Sequence, residues 1–245
     1  MRIGALAPTG LLFLLIQGLA AHAAEVRVFS GGGFRSVMTE VAPLFERTSG
    51  HKVVITFDSN DGLERRIKAG ESFDVLLIGT PTFAVLGDRI VPAPRTVVGR
   101  AGLGVAVRAG TPKPDITSAD ALKRALLGVN SVSHVGDGLS GVLFLALLDR
   151  LGIAEAMKPK LKPTAVANVA KAVASGEADM MVHVMPQILA ERSVELVGPL
   201  PAEIQSYIDL TAGLGAAAKE PEAGKSLIAF LTSDVAIPVI KAKGW

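Results

Sequence analysis

The chain of 245 residues has no cysteine, a single tryptophan and a single tyrosine. The missing thiols exclude disulfides, thiolate metal sites, a cysteine nucleophile and a lipid attached through an N-terminal cysteine. Charge of one sign is also scarce: 25 Lys+Arg stand against 23 Asp+Glu, a formal net charge of +2. Binding to nucleic acid rests on many cation–phosphate contacts, and no dense Lys/Arg run supplies them, so nucleic acid is not expected as a partner. Beyond the first 21 residues no stretch is long and apolar enough to cross a bilayer, which takes about 20 residues.

What is present starts with the leader. Met1-Arg2 gives a positive start, Leu11 to Ala21 is an apolar run, and Ala21-His22-Ala23 has small residues flanking a cleavage point. That layout reads as a secretory signal peptide over residues 1–23, cleaved near Ala23. A membrane anchor would need a longer run, and this one carries Gln17. An exported chain with neither anchor nor lipid is retained only behind an outer membrane, so the periplasm is the expected location. About 220 residues remain, enough for one large domain or two lobes of about 100 each.

These residues read as repeated strand–loop–helix units. Glu25 to Phe29 predicts a strand, Ser30 to Gly33 a turn, and Phe34, Val37, Met38, Val41, Leu44 and Phe45 fall at helical spacing. Pro43 is expected to kink or divide that helix, and Ser49-Gly50 to end it. Lys52 to Phe57 predicts a second strand, Asp58 to Gly62 a polar loop, and Leu63 and Ile67 the buried stripe of a second helix. Asp74 to Ile78 is a continuous apolar run, as in a parallel strand covered on both sides. Thr96 to Arg108 and Tyr207 to Ala217 are long extended stretches that predict two crossings between lobes. Between them a second set follows: a helix over Ser118 to Leu127, a strand over Ser131 to Val135, and an apolar helix to Leu151. Another helix near Val166 to Ser175 and a strand over Met180 to Val184 complete the set, with no strand expected in Met157 to Pro163. The fold class is therefore α/β, with mainly parallel sheets flanked by helices. Lobe one is expected to comprise residues 24–98 and 213–245, and lobe two residues 99–212.

Three loops sit after strands and before helices: Ser30–Gly33, Asp58–Gly62 and Gly136–Gly141. Each joins glycines, whose N–H groups approach a ligand closely, to small polar side chains at a helix N-terminus that favours negative charge. Any one of them also suits a plain turn or helix cap. Three, spread over two lobes at the carboxyl ends of strands, point to a cleft.

The stretches VRVFSGGGFRSVMTEVAPLFERTSGHKVVITFDSNDGLERRIKAGESFDVLLIG, GRAGLGVAVRAGTPKPDITS, VAKAVASGEADMMV and KSLIAFLTSDVAIPVIKAKG resemble periplasmic solute-binding proteins of the molybdate type. The resemblance covers nearly the whole chain after the leader. It implies a two-lobe type II binding fold, a small anion held without a cofactor or metal, a monomer, and an ABC transporter permease as membrane partner. It maps the ligand-binding set to Ser30, Gly31 and Gly32 in the first turn, and to Ser59 and Asn60 after the second strand. In lobe two it maps to Leu139, Ser140 and Gly141, with His183 beside them at the end of the late strand. Two departures bear on the ligand: glycines run through the first turn where the family has a serine, and Val184 stands where it has a tyrosine. Asp58 and Asp61 add negative charge beside the donors. The expected ligand is a molybdate-like oxyanion or a small organic acid, with a carboxylate-bearing metabolite preferred.

Three other chemistries have partial signatures in the chain. Gly136 to Gly141 spells G-x-G-x-x-G, but a dinucleotide site also needs an acid about 20 residues on at a strand end, and none stands there. Ser140 in G-L-S-G-V misses the nucleophile-elbow spacing. His134, His183 and Asp137 are metal-ligand types without a spacing that makes them converge. Binding without catalysis is the expected function; the alternatives are a secreted hydrolase on the same fold and a solute-sensing receptor subunit that imports nothing.

Overall fold

The computed structural model describes residues 23–92, 95–136 and 138–245. The leader expected over residues 1–23 therefore lies, apart from Ala23, outside the described residues, as does Asp137.

The first half is built on β1 (Glu25–Gly31), β2 (Lys52–Asp58) and β3 (Val75–Gly79), parallel and in the order β2-β1-β3. Alternation along β1 explains its two-sided burial. Val26 and Val28 pack with Val37, Met38, Val41 and Phe45 of α1 (Arg35–Ser49). Phe29 packs instead with Leu63 and Ile67 of α2 (Asn60–Lys68). All of β3 is buried, as its unbroken apolar run predicts. α3 (Thr80–Leu86) follows directly.

One long strand then joins the halves. β4 (Thr96–Arg108) pairs over Thr96–Gly102 with β9 (Tyr207–Leu214), and from Leu103 onward with β7 (Met180–Val184) and β8 (Val194–Pro199), all antiparallel. At the change of partner, Gln205 Nε2 donates to Leu103 O at 3.0 Å while its Oε1 accepts from Leu103 N at 2.9 Å. Arg100 and Asp209 face each other across β4 and β9 and close a two-pronged ion pair at 2.6 and 3.0 Å.

The second half repeats the strand–helix pattern. α4 (Ala119–Gly128) leads to β5 (Val132–Val135), α5 (Leu139–Arg150), α6 (Ala154–Met157), β6 (Leu161–Thr164) and α7 (Val169–Ser175). β5 lies between β6 and β7, parallel to both. After β7 comes α8 (Met185–Leu189). The chain returns through β9 to α9 (Pro221–Leu231) and α10 (Ala236–Ala242), which bury Leu227, Leu231, Ala236 and Ile240 in the α1 core. The result is a mixed α/β fold on one curled, nine-stranded sheet flanked by helices.

Two local expectations are corrected. α1 runs unbroken through Pro43. Pro43 is exposed, so its ring and the carbonyl it leaves unpaired face water, where the lost bond costs least. A strand, β6, does form within the lysine-rich stretch. It is the edge strand, where Pro163 interrupts no inner ladder. Its end, Thr164-Ala165, still carries no acid.

Candidate functional site

The parallel strands of each half end on the loops that the sequence singles out. In the first half, β1 and β2 end in register, Gly31 opposite Asp58. A Cβ on Gly31 would lie 3.2 Å from Asn60 Oδ1, and one on Gly79 would lie 3.5 Å from Asn60 Nδ2. The Asn60 carboxamide thus occupies the gap between the ends of β1 and β3, and the two glycines leave room for it. Gly32 is exposed beside it. Ser30 is fully buried, and its hydroxyl donates to Gly31 O at 3.2 Å.

Ser59 caps α2: its Oγ accepts from Gly62 N at 3.0 Å. Asp58 is likewise turned to the helix start, accepting from Ser59 N at 2.7 Å, with Arg66 Nη1 4.0 Å from the other oxygen. That corrects one argument about the ligand. The Asp58 charge is engaged by the backbone and Arg66, so it does not stand free against an anion. Asp61 is exposed in the first turn of α2, where the helix dipole favours a negative charge. Arg35, opening α1, stacks 4.0 Å over Phe57 at the end of β2 and makes no ion pair among the described residues.

In the second half, α5 begins at Leu139, which is half-buried, and Ser140 is 7% exposed on the next position. Gly141 has no space for a side chain, because a Cβ there would run into the Val135 carbonyl. Ser140 and Gly141 are thereby held tight against the end of β5.

The two histidines behave differently. His134 Nδ1 lies 2.9 Å from Val135 O, its ring is 5.5 Å from Phe144 of α5, and burial pushes its pKa down. His183 Nδ1 accepts from Val184 N at 2.8 Å, and burial lowers its pKa to about 4. A neutral imidazole carries one N–H, so in His183 the proton sits on Nε2, a buried donor without a partner. His183 lies opposite Gly104, whose absent side chain would point at Met185 and Ile188. His183 therefore faces α8, whereas His134 faces α5. The sheet separates the two rings, and among the described residues no group of acids and histidines could hold a metal ion.

The halves meet where the short turn Gly32–Phe34 packs on α8. A Cβ on Gly33 would lie 3.5 Å from Gln187 Nε2 and 3.7 Å from Trp245 Cζ2. Trp245 stands edge-on to Phe34, centroids 5.5 Å apart, and packs against the apolar cores of both halves. Its indole Nε1 is buried without a partner. Nothing in the sequence around Trp245 or Gln187 marks either as a ligand contact. Only the presence of a single tryptophan in the chain hinted at the first.

The profile of the bacterial extracellular solute-binding proteins matches residues 26–245. A protein named aconitate isomerase from a Pseudomonas sp. is 29% identical over 252 residues, spanning 99% of this chain and 96% of its own. The molybdate-binding protein ModA of Azotobacter vinelandii is 28% identical over 242 residues, spanning 92% and 91%. The solved structure of the Azotobacter vinelandii periplasmic molybdate-binding protein superposes with a TM-score of 0.72 at 20% identity, over 89% of this chain and 97% of that one. At that identity the superposition speaks for the fold alone.

Proposed function

The chain belongs to the family of bacterial extracellular solute-binding proteins, and on that premise we propose that it captures a small organic anion between two lobes. The observation that carries the reading is the Asn60 carboxamide set between Gly31 and Gly79 at three converging strand ends. Neutral donors there, with the backbone of Gly32 and Gly33 at the start of the turn that follows, hold an anion without needing a fixed counter-charge. Ser140, Gly141 and His183 Nε2 are the proposed second-half contacts, and Leu139 lines the cleft beside them. Lobe closure turns on β4 and β9, so that ligand is buried from both sides.

Two features favour a carboxylate over molybdate. The first turn offers Gly33 in place of a hydroxyl, and Val184, which is buried, offers none either. The relative named aconitate isomerase aligns over nearly the whole chain, which supports an organic acid as the solute. The protein works in the periplasm as a monomer and hands its ligand to an ABC transporter permease.

That same relative favours a second reading, in which the cleft shifts a proton on a bound unsaturated acid rather than only holding it. Proton NMR of cis-aconitate with the protein in D2O separates the two. Deuterium uptake or trans product at a catalytic rate means turnover; an unchanged spectrum with saturable binding means capture.

The capture reading is tested by calorimetric titration with aconitate. Asn60→Ala should weaken binding by roughly 10- to 150-fold, the worth of one hydrogen bond to a charged group at about 1.5–3 kcal/mol. Unchanged affinity in Asn60→Ala would place the ligand elsewhere.

A further inference from the structure

We propose that Gln187 and Trp245 form a donor pair over the first turn that receives a ligand carboxylate. The proposal rests on the cleft reading above and adds the two residues that would give it selectivity. The direction in which Gly33 lacks a side chain opens onto two groups from outside the first turn. One is Gln187 Nε2, brought by α8 from the second half, and the other is the indole edge of Trp245.

The orientation of the indole follows from its contacts. Cζ2, the atom near Gly33, is bonded to the ring carbon that carries Nε1. The opposite edge, Cε3, lies 3.3 Å from a Cβ built on Gly99 of β4. The pyrrole N–H is therefore on the side of the ring that faces the first turn. Phe34, Gly99 and the cores of both halves fix the ring from its other sides. It cannot swing its N–H out to water without giving up those contacts.

The N–H is buried and unpartnered, and buried donors in folded proteins nearly always have an acceptor. The side chain of Gln187, half-buried between buried Pro186 and Ile188, makes no hydrogen bond to another described residue. Two donors beside the same turn match the two oxygens of a carboxylate. An indole N–H donates and never accepts, so it favours an ionised carboxylate over a hydroxyl or amine that presents hydrogen. Because Gln187 comes from one half and Gly33 from the other, the pair is complete only when the halves are together. Carboxylate capture and closure are then one event.

The test uses the protein with its leader removed, titrated calorimetrically with trans-aconitate and with molybdate. Gln187→Ala removes one donor. Trp245→Phe removes the other while keeping an aromatic ring in place. Each should weaken trans-aconitate binding by roughly 10- to 150-fold, with the melting temperature of the ligand-free protein nearly unchanged. Trp245 is the only tryptophan, so saturation of the wild-type protein with trans-aconitate should also shift or quench its emission. Wild-type affinity in both variants, with Asn60→Ala still weakened, overturns the donor pair and leaves the cleft reading standing. Equal losses for molybdate and trans-aconitate overturn its selectivity for carboxylates. Failure of the wild-type protein to bind trans-aconitate overturns both the pair and the reading beneath it.

Discussion

His183 shows how one burial sets both stability and chemistry. Its pKa falls from the ordinary 6.5 to about 4 because the ring is desolvated. Between those values the unfolded chain takes up a proton that the folded chain refuses. The contribution is therefore complete above pH 6.5 and is lost as pH drops toward 4, amounting to about 3 kcal/mol at neutral pH. His134 is shifted in the same direction, so it adds to the same acid loss. Melting temperatures of ligand-free wild type and His183→Gln, measured from pH 7 to pH 4, should show a shallower fall in the variant. Identical slopes would mean that His183 titrates normally in the folded protein. At this scale the sequence was partly legible. Glycines and a carboxamide after strands made Gly31, Gly32 and Asn60 candidates, although each residue type also serves plain turns and caps, and only their gathering at adjacent strand ends sets them apart. Ser59 was legible only as a hydroxyl; that its oxygen caps α2 depends on a local hydrogen bond to Gly62. Gln187 and Trp245 were not legible, since they reach Gly33 through tertiary approach between distant segments.

Among the elements, one side chain makes a three-way stitch. Asp74 is buried just before β3; its Oδ2 accepts from Arg27 N at 2.7 Å and its Oδ1 from Lys219 N and Glu220 N at 2.6 and 3.0 Å. One carboxylate thus ties β1, the start of β3 and the approach to α9. Asp74→Ala strands three backbone donors, and at about 1.5–3 kcal/mol per charged bond, with partial recovery by water, the loss should be about 3–6 kcal/mol. For a chain of this size that lowers the melting temperature by roughly 6–24 °C, readable by scanning calorimetry; an unchanged transition would show that the stitch is dispensable. Periodicity made the two-sided strands and amphipathic helices readable, because burial on known faces repeats with each element's own period. It failed for β6, where an edge strand needs only one partner and tolerates Lys162 and Pro163. At Pro43 the helical spacing ran on correctly and the proline rule misled, because a proline on the exposed face of α1 leaves its lost bond to water.

For the whole molecule, the long extended stretches over Thr96 to Arg108 and Tyr207 to Ala217 were readable as extended chain, and β4 and β9 lie in them. Where β4 changes partner, at Gly102 and Leu103, was not readable, because partner choice is a property of the assembled sheet. The ligand is the least legible feature, since relatives named for molybdate and for aconitate share 28% and 29% of its residues. A thermal-shift panel of cis- and trans-aconitate, citrate, molybdate and sulfate on the mature protein therefore tests the account most directly. A true ligand at about 100 times its dissociation constant stabilises by roughly 2.7 kcal/mol. That corresponds to a rise of about 5–10 °C. The account predicts such a rise with at least one of the carboxylates and little or none with molybdate; a rise with molybdate alone would contradict it.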